Sequence, residues 1–156
     1  MLRATAERVA ELDLVDLMAV AESAEVAECS STAAPSRLAS MVMMTAHEPR
    51  RSRAKARFEL MLAATRDPAL SEIFRHNNEI FAELHRREII SRMPSGLEPD
   101  LEVLDEQTSA TMLFVGGVHM ALVGGDQSID TAEKLDRLLT GIATGIAAVY
   151  QDRRLT

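Results

Sequence analysis

Tryptophan is absent, aromatic residues make up 3 % of the 156 positions, and Cys29 is the one cysteine. A lone cysteine excludes an intrachain disulfide and a cysteine-based zinc site from this chain alone. Scarce aromatics, and β-branched residues that do not gather into alternating runs, speak against a sheet-rich fold. Long uninterrupted apolar stretches are missing too. The most apolar run, 110–125, holds His119 and four glycines and falls short of the roughly 20 residues that cross a bilayer. Over the first thirty residues, seven acids face only Arg3 and Arg8, the reverse of the basic start of a secretory signal. Positive charge is in deficit overall: 17 Lys and Arg against 24 Asp and Glu, a formal net charge of −7. That balance argues against a free-standing nucleic-acid binder. The expectation is a cytoplasmic protein with Cys29 reduced and no membrane role.

What remains is enough to fold. Hydrophobic residues reach 47 % and charged ones 26 %, a balance that fits one globular domain over 1–156. Apolar spacing of three and four predominates, the mark of amphipathic helix. A first helix is predicted from about Leu2 to Cys29, closed by the Ser, Thr and Pro of 30–35. A short methionine-rich helix follows from about Pro35 to Ala46 and stops at Glu48-Pro49. A third runs from about Arg50 to Arg66. Asp67-Pro68 then reads as an N-cap followed by proline at the first helical position, where its missing N–H has no partner to lose. That helix extends to about Arg92 and is closed by Pro94 and Gly96. Pro99 repeats the first-position signal, with Asp100 and Glu102 in the first turn, and this helix reaches about Val123, where Gly124-Gly125 supplies a left-handed exit. The last helix is predicted to open at Asp130, with Glu133 in capping-box spacing, and to end near Tyr150. The fold class is all-α, an antiparallel bundle of about six helices.

The last two helices are apolar on more than one side. One carries a stripe of Leu101, Leu104, Thr108, Met112, Val115, His119 and Leu122, and a second face of Ala110, Phe114, Gly117, Ala121 and Gly124. The other sets Leu135, Leu138, Leu139, Ile142, Ile146 and Val149 beside Gly141, Gly145 and Ala148. A helix apolar on several sides must be covered on several sides. Each interior glycine also costs about 0.8–1.0 kcal/mol relative to alanine, an expense that close approach of another helix backbone would offset. The expectation is a homodimer in which these two helices pair with their twins as a four-helix interface. Packing of both faces within one chain is the alternative.

Signals of chemistry are few. None of His47, His76, His85 and His119 lies in a Glu-x-x-His or His-Glu-x-x-His pattern, and no nucleophile elbow, phosphate loop or dinucleotide fingerprint occurs. No catalytic residue, metal or cofactor is expected. Glu72 with His76, and His85 with Glu88, read as helix-surface contacts. Arg50, Arg51, Arg53, Lys55 and Arg57 put five positive residues in eight. This cluster reads as a solvated helix start that pairs with the acidic first segment, in preference to a phosphate or DNA contact. Polar residues that interrupt apolar stripes are more telling: Asn77 between Phe74 and Phe81, and His119 between Val115 and Leu122. With nine methionines, they suit a mostly apolar pocket holding a few oriented polar groups. They suit equally a core in which both are hydrogen-bonded to carbonyls or buried water.

The stretch Ala56-Arg57-Phe58-Glu59-Leu60-Met61-Leu62-Ala63-Ala64-Thr65-Arg66-Asp67-Pro68-Ala69-Leu70 resembles the segment joining two central helices in the regulatory domain of TetR-family transcriptional regulators. The glycine-bearing 110–123 helix and the closing helix through Tyr150 resemble that domain's last two, which in the family form a dimeric four-helix bundle. Leu2-Arg3-Ala4-Thr5-Ala6-Glu7-Arg8-Val9 resembles the helix that connects it to the DNA-binding domain. Nothing in the sequence matches the family's helix-turn-helix domain. The resemblance therefore implies the effector-binding and dimerisation part alone, with DNA contacted only through a domain absent from this chain and a promoter repressed by the parent protein.

It also implies a small apolar or amphipathic effector held among the middle helices. The residues that would hold it are Met41, Met44, Phe58, Met61, Phe74, Asn77, Phe81, Met112 and His119. A dimer interface would use Phe114, Gly117, Ala121, Leu138, Gly141, Ile142, Gly145 and Ala148. A stand-alone helical small-molecule-binding protein, a helical-bundle enzyme and a protein-binding scaffold are the other classes that the residues admit.

Overall fold

The computed structural model describes residues 1–25, 36–91, 93 and 98–155. Among them are six helices and no strand: α1 (Leu2–Glu25), α2 (Arg37–Met44), α3 (Arg50–Ala64), α4 (Pro68–Ser91), α5 (Leu101–Gly124) and α6 (Ala132–Leu155). Cys29, the turn expected over 30–35 and the closing Pro94 and Gly96 lie outside the described residues.

Local chemistry sets most helix ends. The Ser36 hydroxyl accepts from the Ala39 N–H and starts α2. Asp67 Oδ1 accepts from the N–H groups of Ala69 at 3.0 Å and Leu70 at 3.4 Å, which places Pro68 at the first position of α4 as expected. Two starts differ by a residue or two from the sequence reading. Asp100 is itself the cap of α5, accepting from Glu102 and Val103, so Pro99 precedes the cap and is not the first helical residue. Thr131 caps α6 through the Lys134 N–H. Asp130 instead pairs with the Lys134 ammonium, and Glu133 has no capping-box partner to answer. The exit of α5 follows the expected form. Gly125 takes a φ of 88°, and the bonds Asp126 N–H to Ala121 O and Gly125 N–H to Leu122 O close a Schellman turn. A side chain at Gly125 would strain that left-handed backbone.

The helices form two separate buried clusters. Ala6 and Val9 of α1, Leu60 of α3, and Leu70 and Phe74 of α4 make one. Ala39 and Val42 of α2, Val115, Val118 and Leu122 of α5, and Leu135 and Leu139 of α6 make the other. No residue belongs to both. Helices α3 and α4 pack on α5 as well as on each other, so the two halves meet across α5, and a cavity opens among them.

Candidate functional site

The cavity encloses about 1030 Å³ and takes its walls from five helices, α1 to α5. One wall is apolar: Leu38 and Met41 from α2, Phe58, Met61 and Leu62 from α3, Phe81 from α4, and Met112, Leu113 and Val115 from α5. Leu113 and Leu62 are 79 % and 73 % exposed and stand at the mouth.

Of the residues that the sequence reading put in a pocket, six come together here: Met41, Phe58, Met61, Phe81, Met112 and His119. Three do not line it. Met44 is half-buried on α2. Phe74 belongs to the cluster with Ala6, Val9, Leu60 and Leu70. Asn77 is only 2 % exposed, and among the described residues neither its side-chain nitrogen nor its oxygen has a hydrogen-bond partner. Its neighbour Asn78 lines the cavity instead, because one residue along a helix is a turn of about 100°.

The other wall is charged, and the sequence reading left it out of the site. Arg50, Arg53 and Arg57 lie three and four apart, so one face of α3 presents all three. They meet Asp13 and Asp16 of α1. Arg50 donates to both oxygens of Asp16, at 2.8 and 3.3 Å. Arg53 donates to Asp16 and places its Nε 3.2 Å from Asp13. Arg57 donates to Asp13 at 3.2 Å and to the Asn78 side-chain oxygen at 3.3 Å, and its guanidinium lies 5.8 Å from the centre of the Phe81 ring. The expected pairing of the basic cluster with the acidic first segment is present, but these three arginines are half-buried. Only Arg51 and Lys55 of the cluster are exposed. The missed signal was a stripe of mixed character: Arg50, Arg53, Ala54, Arg57, Phe58, Met61 and Leu62 hold helical spacing throughout, and all line the cavity.

Electrostatics separates the members of this wall. Burial raises the Asp13 carboxyl above its ordinary value despite the charges of Arg57 and Arg53. Asp16 is more open to water. There burial pushes upward, but the hydrogen bond from Arg50 and the charge of Arg53 outweigh it and hold the carboxyl low. His119 projects from α5 into the same cavity, and burial, then the positive charge of Arg57, push it down to about 4. It is a neutral imidazole at pH 7, with one N–H to donate and one nitrogen to accept.

A second feature lies along α5 and α6, which pack on each other. Gly117, Gly141, Gly145 and Ala148 are exposed, as is Leu138, while Phe114, Ala121 and Ile142 are half-buried. A Cβ built at Gly116, Gly117, Gly141 or Gly145 would meet no atom within 4 Å. Close packing among the described residues therefore does not account for these glycines. A groove of about 290 Å³ lies at Gly117, lined by Leu113, Phe114, Gly117, Val118, Ala121 and residues of the turn after α5.

The family model described as the tetracyclin repressor-like C-terminal domain matches residues 30–145. The chain belongs to this family. Its domains are generally the ligand-binding and dimerisation parts of transcriptional regulators, and the all-helical bundle agrees with that membership. No curated protein and no solved structure matches the chain significantly. Within the family assignment, the cavity among α1 to α5 is the candidate ligand site and the open α5 and α6 face the candidate subunit contact. Among the described residues no group of three metal-ligating side chains could hold a metal ion, and no helix is long and apolar enough to cross a membrane.

Proposed function

We propose that this chain is the effector-sensing and homodimerising domain of a TetR-like regulator that acts in the cytoplasm. Its effector is a small, mostly apolar molecule that changes how a helix-turn-helix domain of the whole protein meets DNA. The observation that carries this reading is the cavity of about 1030 Å³, which is at the upper end of the roughly 300–1,000 Å³ usual for ligand sites and has the usual apolar lining with a few polar groups. Its charged wall includes Asp13 and Asp16 of α1, the helix that the family resemblance makes the link to DNA-binding elements. A ligand that binds one placement of α1 better than another shifts the population toward it. The spacing of two recognition helices over successive half-sites changes accordingly. The open glycine face of α5 and α6 supports the dimer that such a device requires.

A catalytic role is not proposed. A general base works best with a pKa near the operating pH, and His119 at about 4 is far below it. Asp16 is held in its charged form by Arg50 and Arg53.

The test is a thermal-shift screen of the chain with lipophilic small molecules of varied shape. Occupancy at about a hundred times Kd stabilises by about 2.7 kcal/mol, so compounds that fill the cavity should raise Tm by several degrees. Substituting Met112→Trp, which fills space, should abolish the shift. A panel that leaves Tm unmoved throughout would overturn the sensing reading.

A further inference from the structure

We propose that the cavity selects an amphipathic monoanion, with a carboxylate held by Arg57 and His119 and an apolar body lying against Phe58, Met61, Phe81 and Met112. This deepens the sensing reading and rests on it.

The argument starts from charge. On the wall between α1 and α3, three arginines, Arg50, Arg53 and Arg57, face two aspartates, Asp13 and Asp16, which leaves one positive charge over, while Arg86 of α4 is paired with both Asp105 and Glu83. Every one of those aspartates is already engaged: Asp16 by Arg50 and Arg53, Asp13 by Arg53 and Arg57, and Asp105 by Arg86. A cationic ligand would find no free carboxylate. An anion would meet a guanidinium whose one carboxylate partner is shared with a second arginine, and buried charge is stable only when paired.

Arg57 is where the surplus sits. A guanidinium has five N–H donors. Arg57 spends them on two long bonds, 3.2 Å to Asp13 and 3.3 Å to Asn78. Its carboxylate partner is shared with Arg53 and is the one whose burial disfavours its own charge. His119 stands close enough to feel the Arg57 charge, lines the same cavity and makes no hydrogen bond to a described residue. A carboxylate between them would take two N–H bonds from the arginine fork, the geometry that favours Arg over Lys, and a third from the imidazole. The volume left over is far more than a carboxylate needs, and its walls are methionine and phenylalanine, so the ligand must also carry an apolar body. Such an anion competes with Asp13 for Arg57. Binding would thereby loosen the tie between α3 and α1.

The test is isothermal titration of the whole chain near neutral pH with matched probes: octanoate, octan-1-ol and octylamine, and 4-phenylbutanoate with its alcohol and amine. Each carboxylate should bind at least about tenfold more tightly than its alcohol, and each amine most weakly. Arg57→Gln should bring the carboxylate down to the alcohol's affinity, Arg57→Lys should retain part of the preference, and Arg75→Gln, which removes an exposed charge outside the cavity, should keep all of it. The order of head groups on the unaltered chain stands even if an Arg57 variant folds poorly. Alcohols or amines that equal the carboxylates, or a preference that survives Arg57→Gln, would overturn the anion site while leaving the sensing reading in place. Binding of none of the six probes would likewise overturn the anion site, and the sensing reading falls only if the broader lipophilic panel also leaves Tm unmoved.

Discussion

Burial and Arg57 keep His119 neutral down to about pH 4, whereas a free imidazole protonates near pH 6.5. As pH falls, the unfolded chain therefore binds this proton before the folded one does, and stability is lost through that interval. Between about pH 7 and 5, above the range where most carboxylates titrate, the loss from this residue is about 2 kcal/mol. Thermal melts across that window should show Tm of the wild type falling, and His119→Leu should flatten the fall. A variant as acid-sensitive as the wild type would refute the assignment. The same residue shows what a sequence can reveal of a site. A histidine interrupting an apolar stripe was legible as unusual, and the cavity contains it. Asn77 carried the same signal and is buried outside the cavity. The difference is helical phase, which spacing within one helix does not fix: Phe74 packs in the cluster with α1 and α3, whereas Asn78 and Phe81 line the cavity.

At the scale of elements, helix count and order were legible, because Asp67-Pro68 and Asp100 are strong local starts and Gly125 a strong stop. The pairing of the basic cluster with the acidic first helix was legible as well, but its burial in a cavity wall was not. A run of arginines looks the same whether water or aspartate faces it, and only the packing of α1 on α3 turns Arg50, Arg53 and Arg57 inward. Those contacts make opposite predictions for two neighbouring acids. Asp16 is held low by Arg50 and Arg53 against the effect of burial, so its charge stabilises the fold above the carboxylate range and that contribution is lost as pH falls. Asp13 is raised by burial, so the fold prefers its neutral form and its charge is a burden near pH 7. Asp16→Asn should cost about 1.5–3 kcal/mol, the scale of hydrogen bonds to charged groups. Asp13→Asn should leave stability unchanged or slightly higher. Urea melts of the two variants near pH 7 decide it, and an equal loss in both would remove the distinction.

For the whole molecule, the question is what covers α5 and α6. Within one chain these helices bury Val115, Val118, Leu122, Leu135 and Leu139 but leave Leu138 and Val149 42 % and 52 % exposed beside Gly141 and Gly145. In a lone protomer those glycines would be pure loss. Alanine at each would gain about 0.8–1.0 kcal/mol of helix propensity and, with no described atom beyond its own stretch of helix within 4 Å of the added carbon, would meet no obstacle. Against a second copy the same positions allow two backbones to approach, and a bulky charge there has nowhere to go. Sedimentation equilibrium should therefore give the wild type twice the mass of one chain at micromolar concentration. Gly141→Glu combined with Gly145→Glu should give a folded chain of single mass, since in isolation both side chains point into open space. A wild type of single mass, with both alanine variants simply more stable, would assign the glycines to nothing in the protein's assembly and would return the α5 and α6 face to solvent.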